Sequence, residues 1–179
     1  MTDKNLSQHS EITEIVKARI ETLSGADSWH VLDFIPFQPQ GADFLEYERF
    51  LETGDYVKSF ADRICFIALT LVAEYEAETI CLTESEAFFE THPELEPNVN
   101  LRRLLYERLA EIIQDVIVHE LSSVQIFFAK HDVLLSIDGA LRVTLYNASG
   151  DFLHTVNLLA GRNGLFVKHH ASDGQVTLL

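Results

Sequence analysis

The chain reads as an α+β protein: a helix-rich, acidic first two-thirds packed with a C-terminal antiparallel β-meander. Apolar residues recur at helical spacing through much of residues 1–120. From Ser123 the apolar period drops to two, and short turn sequences separate the runs. The charge divides at the same place: residues 1–120 hold the whole net charge of −15, and residues 121–179 balance four acids against four bases. At 179 residues the length suits one domain, with the acidic helical part (1–120) and the neutral sheet part (121–179) sharing a core.

The first expected element is a helix capped by Ser10, with Glu11 and Glu14 at its positive end and Gly25 as its stop. Ile12, Ile15, Val16, Ile20 and Leu23 form its apolar stripe. Trp29 to Phe37 is rich in β-branched and aromatic residues and reads as a strand. Pro36, which has no N–H to donate, places the end of that strand at a sheet edge. Asp43 starts a short helix running through Leu51 to a stop near Gly54, and Asp55 opens another with Val57, Phe60, Ala61 and Ile64 on one face.

Residues 64–78 admit two readings. The helical spacing continues through Ile67, Leu71 and Tyr75. The density of Ile, Phe, Thr and Val in ICFIALTLVA instead favours a central strand returning through TICLT. Length supports the helix and composition the strand; the strand is the expectation, and it brings Cys65 and Cys81 close as packed thiols. Thr83 to Glu86 fits a capping box for a short helix that stops before Pro93. After the irregular THPELEPNVN, Asn100 caps a long helix from Leu101 to about Glu120, burying Leu104, Leu105, Leu109, Ile112, Ile113 and Val116.

Five strand-like runs follow: VQIFFA, VLLSI, LRVTLYN, FLHTVNLL and LFVKHH, with QVTLL as a sixth. Asp138-Gly139, Ser149-Gly150-Asp151, Asn163-Gly164 and Asp173-Gly174 separate them. In this arrangement His154 shares a strand face with Phe152 and Val156, and Arg162 sits at the tip of a hairpin.

Composition narrows the function classes. With 28 acidic against 13 basic side chains, the field repels nucleic acid and anionic membranes and attracts basic partners. The longest apolar run is too short to span a bilayer. The polar N-terminus lacks a secretory pattern, so the cytoplasm is the expected compartment and both cysteines are expected to be reduced. No nucleophile elbow, Walker loop or dinucleotide fingerprint occurs, and no cofactor is expected.

Two candidate sites stand out. Glu74, Glu76, Glu78, Glu84, Glu86, Glu90, Glu94 and Glu96 lie in a stretch with no Lys or Arg between Arg63 and Arg102. They form a candidate surface for docking a basic protein, with Pro93 and Pro97 limiting the entropy lost on binding. Glu107, Glu111, Asp115 and His119 recur every four residues on the long helix, which stacks them along one face as a candidate divalent-metal or acid–base column. The size, acidity and lack of a catalytic motif are similar in type, though not in motif, to small immunity or inhibitor proteins that neutralise basic toxins. The leading expectation is therefore a cytosolic, non-enzymatic interaction protein of inhibitor, immunity-like or regulatory type. The alternative is a small-molecule or metal-dependent enzyme using the helical column, and a homodimer through an exposed sheet edge is a further possibility.

Overall fold

A computed structural model describes residues 11–37, 42–52, 55–83, 85–139 and 141–179. In chain order the elements are α1 (Glu14–Ser24), β1 (Trp29–Asp33), α2 (Ala42–Glu52), α3 (Tyr56–Tyr75), β2 (Thr79–Leu82), α4 (Glu86–Thr91) and α5 (Tyr106–His119). They continue as β3 (Val124–Phe128), β4 (Val133–Ile137), β5 (Val143–Tyr146), α6 (Gly150–Arg162), β6 (Phe166–His170) and β7 (Val176–Leu178). The fold is α+β, and most of its strands come from the C-terminal part.

The strands form one antiparallel sheet in the order β2-β3-β4-β5-β1-β6-β7. The expected meander holds for β3, β4 and β5; β2, expected beside residues 64–73, instead pairs with β3, and β1 is inserted between β5 and β6. Since β5 and β6 are each antiparallel to β1, they run parallel to one another and need a crossover. Helix α6 provides it.

The sheet has two unequal cores. One face, made by Ile80, Ile126, Leu135, Leu145, Leu32, Val167 and their alternating neighbours, packs under α3, α5 and α6. The other face places Cys81, Phe127 and Leu134 against Ile12, Ile20 and Leu23. Arg19 clamps α1 to the β3–β4 turn through Asp132, whose carboxyl is held below its ordinary range by that hydrogen bond.

Several expectations need correction. Residues 64–75 belong to α3, not to a strand: Phe60, Ile64, Ile67, Ala68 and Leu71 all point inward at helical spacing. Cys65 and Cys81 consequently lie in different clusters, as buried free thiols. FLHTVNLL is the core of α6, where Phe152, Val156 and Ala160 are buried at a spacing of four and His154 is exposed. Asn163-Gly164 is therefore the end of a helix, and Arg162 lies in its last turn. Strand β1 ends at Asp33, before Pro36, and is paired on both sides instead of lying at an edge.

The caps also move. Thr13 receives the Val16 N–H at the start of α1; Ser10 lies outside the described residues. Within α1, Ile15 faces solvent. Ser85, not Thr83, caps α4, receiving the Phe88 N–H at 3.4 Å. Helix α5 starts at Tyr106, with Leu105 exposed at its cap position. Asn100 is engaged elsewhere: its side-chain oxygen accepts from Ile80 N and its amide donates to Glu78 O, so it completes the outer edge of β2.

Candidate functional site

The acidic stretch is distributed over four elements. Glu74 lies in the last turn of α3, Glu76 in the left-handed residue that ends it, and Glu78 just before β2. Glu86 and Glu90 lie on α4, and Glu94 and Glu96 on the connection to α5. All seven are exposed; Glu84 lies outside the described residues. Two of them are neutralised by bases from distant sequence. Lys130 pairs with Glu76 and lowers its carboxyl pKa, mainly by hydrogen bonding. Arg108 pairs with Glu94. Among the described residues, Glu74, Glu78, Glu86, Glu90 and Glu96 have no ion-pair partner.

Next to this segment, the α5 column has a different environment from the one its spacing implies. Glu111 is held by Arg108 at 2.8 Å, one turn away on the same helix. Asp115 faces His92 Nε2 at 3.3 Å, while His119 Nε2 stands 4.0 Å from it. His92, at the end of α4, stacks on Phe88 with ring centroids 4.4 Å apart and also contacts Arg108 through Nδ1 at 3.4 Å. The result is a network of one arginine, three carboxylates and two imidazoles that ties the end of α4 to α5. Among the described residues no group of three or more His, Cys, Asp or Glu side chains is placed to hold a metal ion. His92 was not singled out from sequence, because only the packing of α4 on α5 brings it to Asp115.

A second feature, also not foreseen, is a cleft of about 610 Å³ where α2, α3 and the exit of β1 meet. Phe34, Ile35, Leu51, Asp55, Tyr56, Ser59 and Arg63 line it. Its walls are pinned. Asp33 Oδ1 accepts the Ile35 N–H at 3.2 Å. The buried Lys168 ammonium donates to Asp33 Oδ2 at 2.6 Å and to the Phe37 carbonyl at 2.8 Å. On the opposite wall the Arg63 guanidinium lies 5.2 Å from the Phe34 ring centroid and donates to the Asn163 carbonyl at 2.7 Å. Gly164 permits that approach: its φ is +67°, and a Cβ there would stand 2.9 Å from Arg63 Nη1. Beside the cleft Phe50 packs on Tyr56 and Phe37 on Tyr47, and all four rings are more than a third exposed.

The remaining histidines are structural neighbours more than ligands. His131 packs edge-on against Tyr75. His169 and His170 point to opposite faces of β6, as strand geometry requires. His169 faces His30 and His170 stacks on Trp29.

Comparison with known protein families, with curated proteins and with solved structures finds no match for this chain. Among the described residues, no helix is long and apolar enough to cross a membrane.

Proposed function

We propose that this is a non-enzymatic docking protein that binds a basic protein partner through the glutamates between Glu74 and Glu96. The observation that supports the reading most is the pairing pattern. Five of these carboxylates are exposed and lack an ion pair among the described residues; Lys130 and Arg108 pair with Glu76 and Glu94, and Arg102 reaches the segment at the Glu78 backbone carbonyl. A surface with such an excess of carboxylates raises association rates with oppositely charged partners and disfavours phosphate backbones. The partner is recognised by its basic surface, and the reading extends to an inhibitory or regulatory role exerted by covering it.

The test is retention of proteins from the source organism's extract on the immobilised protein, at low and at moderate salt. The expected result is a basic protein held at low salt and released at moderate salt. A variant with Glu86→Lys, Glu90→Lys and Glu96→Lys should lose it while keeping the parental Tm. Glu94 is left in place, because a lysine there would face Arg108. Equal retention by the triple variant would remove this surface from the function.

A further inference from the structure

We infer that the chain pairs with a second copy of itself through the free edge of β7, so that two sheets join antiparallel about a two-fold axis at Thr177. The inference is independent of the acidic docking surface, which borders β2 at the opposite edge of the sheet.

The backbone of β7 is only half used. Leu179 N–H reaches the Val167 carbonyl and Ala171 N–H the Gln175 carbonyl, so residues 175, 177 and 179 are the ones whose backbone groups face β6. The N–H and C=O groups of Val176 and Leu178 therefore point the other way, where the sheet ends. Among the described residues no hydrogen bond reaches them. The side chains leave the edge open too: Leu178 and Leu179 are nearly half exposed, and Thr177 is exposed. Residues 175–179 carry none of the devices that guard an edge: they contain no charge and no proline, and their pairing with β6 has no bulge. The edge of β2, by contrast, is closed by Asn100 and Leu101.

Self-complementarity and charge select a second copy. With Val176 laid antiparallel opposite Leu178, two β7 strands use every open group, since each such pair exchanges both of its hydrogen bonds. A shift to a neighbouring register leaves some of these groups unpaired. Thr177 then faces Thr177 across the axis and Val176 lies beside Leu178, both favourable cross-strand pairs. A contact that uses the same patch on both copies closes at two. The net charge of −15 does not oppose it. Residues 164–179 carry one base, Lys168, and one acid, Asp173. The glutamates beside β2 stand six strand spacings away, about 29 Å, well beyond a screening length of about 8 Å. A charged foreign strand gains no Coulomb attraction at so neutral an edge.

So short an edge makes a weak dimer, and the experiment is sedimentation of the pure chain over a wide range of concentrations, combined with cross-linking. A monomer–dimer equilibrium is expected. Leu178→Pro removes an outward N–H and no bond to β6, and should weaken the dimer about tenfold or more while keeping the parental Tm. Thr177→Cys should form an intermolecular disulfide under oxidised glutathione, because Cα atoms opposed at such a position stand about 4.5 Å apart. Gln175→Cys, on the same face of the strand, lies opposite Leu179 of the second copy and should not cross-link. Cys65 and Cys81 are buried and do not compete. A parent that is monomeric at every concentration overturns the inference and leaves the edge to a foreign strand. So does a dimer that Leu178→Pro and Leu178→Lys both leave intact, or a Thr177→Cys variant that cross-links no faster than Gln175→Cys. If Leu178→Pro loses its folded circular-dichroism signal, Leu178→Lys, which keeps the backbone, decides. Loss of the dimer in the Glu86→Lys/Glu90→Lys/Glu96→Lys variant would place the contact on the acidic surface, and overturns the inference as well.

Discussion

His30 and His169 face one another across β1 and β6 with ring centroids 4.8 Å apart, and among the described residues neither has a hydrogen-bond partner for its buried Nδ1. Protonating His30 would put a charge on the sheet face that also carries Leu32 and Leu145, with no acceptor at its Nδ1 and another imidazole beside it. Burial is the main cause that drives His30 down to about 4, with His169 and His170 adding to it. His170, stacked on Trp29, is lowered as well, again chiefly by burial and then by Lys168.

The sign of the pH dependence follows. A histidine whose folded pKa lies below its unfolded value of 6.5 leaves stability whole above 6.5 and withdraws it as the pH falls toward 4. For His30 the loss amounts to roughly 3 kcal/mol by the lower limit. Denaturant midpoints measured across this window should fall steadily in the parent chain. His30→Phe, which keeps a ring against His169, should flatten the slope. An unaltered slope in that variant would assign the effect to other groups.

Lys168 is the other buried charge with a large expected consequence. Its side chain is 2 % exposed and its partner Asp33 28 %. Lys168→Met strands a carboxylate and frees the Phe37 carbonyl, at a cost of about 3 kcal/mol. Adding Asp33→Asn removes the stranded charge while leaving an oxygen for the Ile35 N–H, so the double variant should regain about 1 kcal/mol of that loss. Chemical denaturation of the three proteins measures both numbers. Equal stability of the single and double variants would show that the two side chains do not act as a pair.

Much of this architecture was legible from period and punctuation, and the failures have physical causes. Helix α5 was legible because its buried side, Leu109, Ile112, Ile113, Val116 and Ile117, contrasts with the charged side carrying Glu107 and Glu111. Helix α3 was misread because it packs between the sheet, α5 and α6, and a helix covered on several sides loses the polar stripe that marks helical period. In α6, Phe152 and Val156 sit four apart with His154 between them, a spacing that fits strand alternation and one helical turn equally well. The cleft and the His92 contacts depend on partners remote in sequence, such as Lys168 with Asp33 and His92 with Asp115, so no local pattern announces them.

The two thiols provide a measure of how tightly both faces of the sheet close. Burial raises Cys65 and Cys81 to about 11, with Asp62 adding to the effect at Cys65. Thiolate is the reactive form, so little of it exists near pH 8. Labelling by a disulfide reagent under native conditions should be slow at both positions and become immediate in denaturant. Fast native labelling of Cys81 alone would indicate that α1 lifts from its face of the sheet, since Cys81 shares a cluster with Ile12, Ile20 and Leu23.

The edge of β2 yields the final prediction. Its outer backbone is closed by a side chain: Asn100 receives the Ile80 N–H at 3.2 Å and donates to the Glu78 carbonyl at 2.9 Å, while Leu101 N–H reaches the Ile80 carbonyl at 2.7 Å. Asn100 therefore stands where a neighbouring strand would, and it also accepts the Arg102 N–H, which fixes the turn into α5. Asn100→Ala removes these contacts at a cost of about 2 kcal/mol and leaves unpaired groups along a strand whose residues are all buried. An uncovered edge is a template for another chain, so the variant should also form species in sedimentation larger than any the parent forms. Asn100→Asp keeps the oxygen that serves Ile80 and Arg102 but not the amide that serves Glu78, and its stability should fall between the two. If Asn100→Ala is destabilised yet sediments as the parent does, the segment around Leu101 alone suffices to guard the edge, and Asn100 is there for the turn.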